Sequence, residues 1–568
     1  MFVRTKKSPK TDKISVQIVK NIRKDGKVRQ VIVRHVGMAK NEEELKHFKR
    51  LAEYIKADLE SEYQLNIFSS EVIAEQAIEA RKRQEGKEKE LSVNLKELRE
   101  EQRITVGIHE VYGVIYRELG FHNLLGSPSR KVAVSKALYN IVMARIASPG
   151  SKRRSVKLLK DDFGVRLRLD TVYQMMDMFE DKVIDKLKER TYRAARELLD
   201  QEFDVVFYDC TTLYFESFQE DDLRRNGYSK DNKFNQPQVL LAILVTTEGL
   251  PVSYEVYPGN TFEGHTLSNA LDELRSKYRI NNVIFVSDSA LLSKENLSLL
   301  ESKRQGYIVG ARLRNLSNSL KEKILDKDNY HPLKMRVKNQ EVNTGLDDME
   351  SEYSVAYFDL DENRRLIVTY SPRRATKDRL DREKALRRLK KRLEKSKNPS
   401  DMISNYGYKR FLKIEGESKL VLNEEKLELE SRWDGLHGVI TNRKDLPLAE
   451  IISQYHGLWQ VEESFRISKH DLRIRPIYHW TPRRVRAHIA ICFMALSCIR
   501  HLEYRAVRLY RKLSPEVIRN ELLHVQMSIL KDTKKGRYYA IPSSLSEHTK
   551  GLYKIVGKKI STRPFEIK

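Results

Sequence analysis

Three apolar blocks restrict the fold of this chain more than anything else in it. At residue 203 the hydrophobic pattern changes period, and "FDVVFYDCTTLYFE", "QVLLAILVTTEGLPVSYEVYPGN" and "NNVIFVSDSALLS" follow as β-branched and aromatic runs. Such runs are too short for core helices and are bounded by Gly, Pro and Asn, which marks strands. The first two blocks predict an antiparallel meander, with a turn at Glu248-Gly249. A helix over 266–276, a strand over 283–287, a helix over 294–305 and the strand "GYIVGARL" then read as α/β alternation. The predicted fold class is therefore α/β, a mixed sheet flanked by helices.

The rest of the chain is read around that sheet. Residues 1–40 hold twelve Lys or Arg against two acids, and "KISVQIVKNIR" and "KVRQVIVRHVG" flank Asp25-Gly26, a β-hairpin signal. Residues 41–200 read as helical throughout, with helices expected near 42–60, 70–86, 108–120, 131–147 and 170–199, and with a further one in "SVKLLKDDFG". Basic patches there make helix-turn-helix DNA binding one reading and a plain helical bundle the other. Residues 201–313 form the first part of the α/β core. Residues 314–432 read as an inserted, mainly-β subdomain around a basic helix at 377–397, in which eleven of 21 residues are Lys or Arg. The core resumes over 433–510, and 511–568 is a basic C-terminal segment.

The balance of 106 Lys and Arg against 80 Asp and Glu, a formal charge of +26, calls for a polyanionic partner, most simply nucleic acid. "HIAICFMALSCIRHL" sits in a long apolar helix whose ends are charged, so it reads as a helix packed on the sheet and not as a membrane span. With no apolar N-terminal segment in "MFVRTKKSPKTDK", a cytoplasmic protein is expected, associated with the nucleoid. Cys210, Cys492 and Cys498 lack metal-binding spacing, which argues against a zinc finger or a disulfide framework.

Asp209 and Asp288 close apolar strands, and Glu462 lies on a helix that follows a later strand. Oxygen ligands without His or Cys suit magnesium or manganese, and two such ions can serve phosphodiester displacement. "DLPLAEIISQYHGLWQVEESFRISKHDLRIRPIYHW" reads as beginning in one amphipathic helix, on which Tyr455, Trp459, Glu462 and Lys469 share a face. Trp459 reads as core packing against base stacking, and His265 as a loop residue against a ligand.

Together "YDCTTLYFES", "GNTFEGHTL", "VSDSALLS", "DGLHGVITN" and "YHGLWQVEESFRISKHDLRIRPIYHW" resemble bacterial insertion-sequence transposases of the DDE class, the cut-and-paste group with a β-rich insertion before the catalytic Glu. The resemblance spans about residues 200–500. It implies an RNase H-like catalytic domain, with Asp209, Asp288 and Glu462 as catalytic residues holding two Mg2+ or Mn2+ ions. It implies cleavage at the element's terminal inverted repeats, attack of the freed 3′-hydroxyl on target DNA, and a homodimer on double-stranded DNA. The family's pattern of Tyr, two residues, Arg, three residues, Glu, six residues, Lys falls on Tyr455, Leu458, Glu462 and Lys469, with Leu458 in place of the Arg. Arg466 is the expected substitute, and Tyr455, Arg466, Lys469, Arg473 and Arg475 are the expected DNA contacts. Glu463 competes with Glu462 for the third acid. Two other readings are a transposase-derived DNA-binding protein that no longer cuts, and a metal-dependent nuclease without strand transfer.

Overall fold

The computed structural model describes residues 2–7, 14–24, 27–39, 41–63, 93–126, 131–200, 205–216, 219–227, 235–262, 265–268, 272, 284–289, 293–336, 350–395, 411–415, 419–532, 534, 538–558 and 562–567. The helix expected at 70–86, the Asp25-Gly26 turn and most of the helix expected at 266–276 lie outside the described residues.

The chain divides into two compact units, one of residues 1–118, 127–173 and 501–568, the other of 119–126 and 174–500. In the first unit, strands β1 (Phe2–Lys7), β2 (Ile14–Lys24) and β3 (Lys27–Ala39) form an antiparallel sheet. Helix α1 (Glu42–Tyr63) covers it, because Leu45, Phe48, Leu51 and Ile55 meet Val16, Ile18 and Val36. Strand β4 (Leu98–Thr105) follows, then helices α2 (Gly107–Glu118), α3 (Val132–Ala147) and α4 (Lys152–Phe163). The expected single helix over 170–199 is two, α5 (Leu169–Asp177) and α6 (Asp181–Leu199). Buried Phe179 sits in the break between them.

The second unit is built on one nine-stranded mixed sheet. Its strands are β5 (Val205–Tyr214), β6 (Gln238–Thr246), β7 (Pro251–Pro258), β8 (Ile284–Ser287), β9 (Gly306–Gly310), β10 (His331–Arg336), β11 (Glu350–Asp359), β12 (Arg365–Tyr370) and, beyond the small hairpin β13 (Leu412–Glu415) and β14 (Lys419–Leu422), β15 (Leu436–Thr441). The order is β10-β11-β12-β15-β9-β8-β5-β6-β7. Only β5, β8 and β9 run parallel; every other neighbouring pair is antiparallel. All nine residues of β6 are buried, as expected of a strand covered on both faces.

The segment expected as a mainly-β subdomain contributes β10, β11 and β12 to this same sheet. It also carries α8 (Asn318–Leu325), which follows α7 (Lys294–Ser302), then the 24-residue basic helix α9 (Pro372–Lys395) and α10 (Glu424–Ser431). After β15 come α11 (Leu448–His456), α12 (Trp459–Arg466) and the long α13 (Pro482–Leu509). By length and composition α13 is apolar enough to cross a membrane, and 94% of that apolar window is buried inside the fold. Its Phe493 ring packs on Tyr254 of β7, with centroids 4.5 Å apart.

The chain ends with α14 (Pro515–Leu523), β16 (Gln526–Asp532), β17 (Tyr538–Pro542), α15 (Glu547–Ile555) and β18 (Phe565–Ile567). Here the structure corrects the reading of 41–200 as wholly helical. Residues 98–105, "LREEQRIT", form a strand because they pair antiparallel with β16, more than 400 residues away. As β4 is the edge of the sheet β18-β17-β16-β4, its charged residues can stay in water.

Candidate active site

Asp209 occupies the fifth position of β5, half-buried between buried Tyr208 and Cys210, and its Oδ1 accepts the Cys210 amide N–H at 2.7 Å. Side chains alternate along a strand, so Asp209 shares a face with Phe207 and not with Tyr208. Phe207 lies against Gly457, where any Cβ would stand 2.5 Å from its ring. Asp209 therefore faces the α11–α12 region. Tyr208 points the other way, and its hydroxyl donates to Thr266 Oγ1 at 2.7 Å.

Asp288 follows β8 directly. β5 and β8 are parallel with Phe207 level with Val286. Continuing that register by two residues sets Asp209 level with Asp288 on adjacent chains, at the same end of the sheet.

Glu462 stands exposed in the first turn of α12, the helix packed on β5 and β6. The link between it and Asp288 is Tyr455. Above Gly310 of β9 the tyrosine hydroxyl fills the space a side chain would need, 2.5 Å from an added Cβ, with the Ser289 amide nitrogen 3.1 Å from the same point. Burial pushes the phenol up to about 12, helped by the charges of Asp288 and Glu462 and opposed by Arg374. Among the described residues, no three His, Cys, Asp or Glu side chains lie close enough together to hold a metal ion.

The expectation of one continuous helix is corrected. α11 stops at His456, α12 begins at Trp459, and the helix then widens into a π-helical turn over Ile467–Asp471. Gly457 lies in the two-residue turn between them, packed against Phe207, where an added Cβ would stand 2.5 Å from the ring. Tyr455 and Glu462 consequently belong to different helices. Lys469, half-buried in the π turn, does not follow Glu462 by two regular α-turns. Single π turns of this kind concentrate at functional sites.

The remaining predicted contacts divide. Leu458, standing where the resemblance expects Arg, is buried at 8% exposure. Arg466 is held by Glu463, through two hydrogen bonds of 2.7 Å, and by Asp471 at 3.1 Å. Glu463 is thereby engaged on its own helix, whereas Glu462 is exposed. Arg473 is exposed just past the π turn, with φ of 45°. Arg475 stacks over Tyr214, the last residue of β5, 4.9 Å from the ring centre. Trp459 is half-buried, and exposed His265 sits edge-on to Phe262.

Two features escaped the sequence reading. His437 of β15 lies 5.0 Å from the Tyr455 ring, and burial, with Arg374 and His456 nearby, pushes its imidazole down to about 4. Buried Arg500 of α13 donates from Nε to Gly249 O at 2.9 Å and from Nη2 to Gln460 Oε1 at 2.5 Å, tying α12 to the β6–β7 turn. Gly457 was the sequence signal for the helix break. Nothing local marks Arg500, whose partners lie 251 and 40 residues away.

The family model described as transposase DDE domain matches residues 200–498, and the one described as IS1634 family transposase, N-terminal domain, matches residues 3–65. No curated protein sequence matches. Among solved structures, the Mos1 mariner paired-end complex with Mn is 11% identical, with a TM-score of 0.12, over 27% of this chain and 52% of that one. The Mos1 transposase paired-end complex with left transposon end is also 11% identical, with a TM-score of 0.14, over 45% and 72%. This chain thus spans about half of the first of those chains, and at such scores neither likeness bears on the fold. The match to the DDE domain covers more than half of the chain, including Asp209, Asp288 and Glu462, so the chain belongs to the DDE transposase family.

Proposed function

We propose that the chain is a DNA transposase that cuts phosphodiester bonds at the ends of its own element and joins the freed 3′-hydroxyl to target DNA, using Asp209, Asp288 and Glu462. The observation that supports this reading is the match of the DDE domain model to residues 200–498, a span that holds all three acids, and the parallel register of β5 and β8 agrees with it, because Phe207 is level with Val286 two residues before each aspartate. Strand order supports it. β7-β6-β5-β8-β9, antiparallel over the first three strands and parallel over the last three, is the arrangement of an RNase H-like core.

All three expected donors are carboxylates on separate elements, a donor set whose chemistry suits a hard divalent cation such as Mg2+ or Mn2+ better than zinc, while among the described residues no three such side chains stand close enough together to hold an ion. Bound by the three acids, a pair of divalent ions would polarise the attacking oxygen and offset charge on the leaving one. The chain's own groups do the positioning. Tyr455, protonated throughout the neutral range, offers a hydroxyl donor beside Asp288, and Lys469, Arg473 and Arg475 add cations along the stretch that leaves α12. Phosphate contacts of this kind set register without reading sequence. Two DNA ends must be cut and joined together, so a homodimer on DNA follows from this reading.

The test is Mg2+-dependent cleavage of a labelled duplex carrying the DNA that flanks the gene. Asp209→Asn, Asp288→Asn and Glu462→Gln are expected to cut more slowly by over about a hundredfold, the scale of losing a metal-binding carboxylate, while still binding duplex. Glu463→Gln keeps its cutting rate. Binding without any cutting by the unaltered protein would make it an inactive binder, and cutting without joining a nuclease.

A further inference from the structure

The sequence "SKRRSVKLLKDDFG" folds as α4, and its two sides differ sharply. Ser155, Leu159 and Phe163 are buried on one side, as is the stem of Lys152, while Arg153, Arg154, Lys157 and Lys160 are exposed on the other. At 100° per residue the four exposed cations fall within an arc of about 120°, opposite the buried arc. None of their side chains makes an ion pair among the described residues. Exposed Asp161 and Asp162 come only in the last turn.

The helix is also presented rigidly. α3 ends at Ala147 and α4 begins at Lys152, a four-residue turn in which buried Arg145 donates from Nη2 to Gly150 O at 2.9 Å. Ser151 caps α4 by accepting the Arg154 N–H at 3.2 Å. His109 of α2 joins the other two helices, since its Nε2 meets Asn140 Oδ1 at 2.9 Å and its ring lies 5.1 Å from Phe163. Three helices locked in this way, with the third turned outward, have the build of a helix-turn-helix.

We propose that α4 is a DNA-reading helix that lays this cationic face in the major groove of a duplex. From Arg153 to Lys160 the face is about 10 Å long at 1.5 Å per residue, close to the groove's width of about 12 Å. Arg153 and Arg154 stand in the first turn, where groove-bound helices touch base edges, and Lys157 and Lys160 follow where phosphates would lie. The inference takes duplex DNA as the partner from the transposase reading, but it does not depend on cleavage.

The experiment uses the full chain with two labelled duplexes, one carrying the DNA that flanks the gene and one with the same bases scrambled, and maps guanine N7 protection from dimethyl sulfate. Arg153→Ala with Lys157→Ala is expected to weaken binding to the flanking duplex by about ten- to a hundredfold, to erase a local patch of N7 protection, and to leave the melting temperature unchanged. The slope of log Kd against log salt falls by about 0.9 for each phosphate contact removed. Lys323→Ala, exposed on α8, changes none of these. Protection that persists in the double variant, protection absent from the unaltered protein, or equal loss on both duplexes overturns the proposal. Asp209→Asn separates the two readings. It should protect DNA as the unaltered protein does, so failure to cut with α4-dependent protection intact counts against the cleavage reading alone.

Discussion

At Tyr455 and His437 two rings in contact are both held neutral. Burial is the leading cause for each, and Arg374, from the first turns of α9, bears on both, lowering the phenol and the imidazole alike. For His437 the sign is fixed by linkage. The folded imidazole titrates at about 4 against 6.5 for the ordinary group, so between those values the unfolded chain binds the proton and the folded chain does not. Its contribution to stability is complete above pH 6.5 and is lost as pH falls toward 4, an effect on the order of 2–3 kcal/mol. His437→Gln should therefore flatten the fall in melting temperature between pH 6.5 and 4.5. His456, His109 and His501, all pushed down chiefly by burial, add slopes of the same sign that the variant leaves in place. An unchanged pH profile would show that His437 is not the group responsible.

Among the elements, α12 matters most because it carries Glu462 yet is cut off from α11 by Gly457 and unwound at its end by the π turn. A helix of eight residues with both ends irregular has little intrinsic stability, so tertiary contacts must set its position. Val461 and Phe465 bury one face, and the Arg500 guanidinium holds Gln460, two residues before the acid. Arg500→Met removes both hydrogen bonds and leaves Gly249 O and Gln460 Oε1 without that donor, costing about 2–4 kcal/mol. It should slow cutting well below its melting temperature while leaving duplex affinity intact, because Arg500 is buried at 5% exposure. Cutting at the unaltered rate would mean that α12 keeps its place without the clamp. The edge strand β4 teaches a related lesson, since a charged stretch with no strong period becomes a strand only through its distant partner β16.

For the whole molecule, the surplus of 26 positive charges predicts how binding to a duplex would depend on salt. Each neutralised phosphate releases counterions, so binding to any duplex should fall steeply with salt, by about 10³–10⁵ between roughly 50 and 200 mM if six to ten phosphates are engaged. A shallow dependence on a scrambled duplex would contradict a partner chosen by charge. The same scale separates what could be read from residues alone. Strand blocks at 205–214, 238–246 and 284–287 and the paired strands at 14–39 were legible because β-branched and aromatic runs bounded by turn residues are local signals, whereas Asp209, expected at a strand end, lies in the middle of β5. Equally local was the basic character of α4 and α9. Joining β10, β11 and β12 to the main sheet, pairing β4 with β16, breaking the helix at Gly457 and tying α12 to Arg500 were decided only by the tertiary structure. Each of these depends on partners tens to hundreds of residues away, whose packing and hydrogen bonds outweigh the weak preferences of the segments themselves.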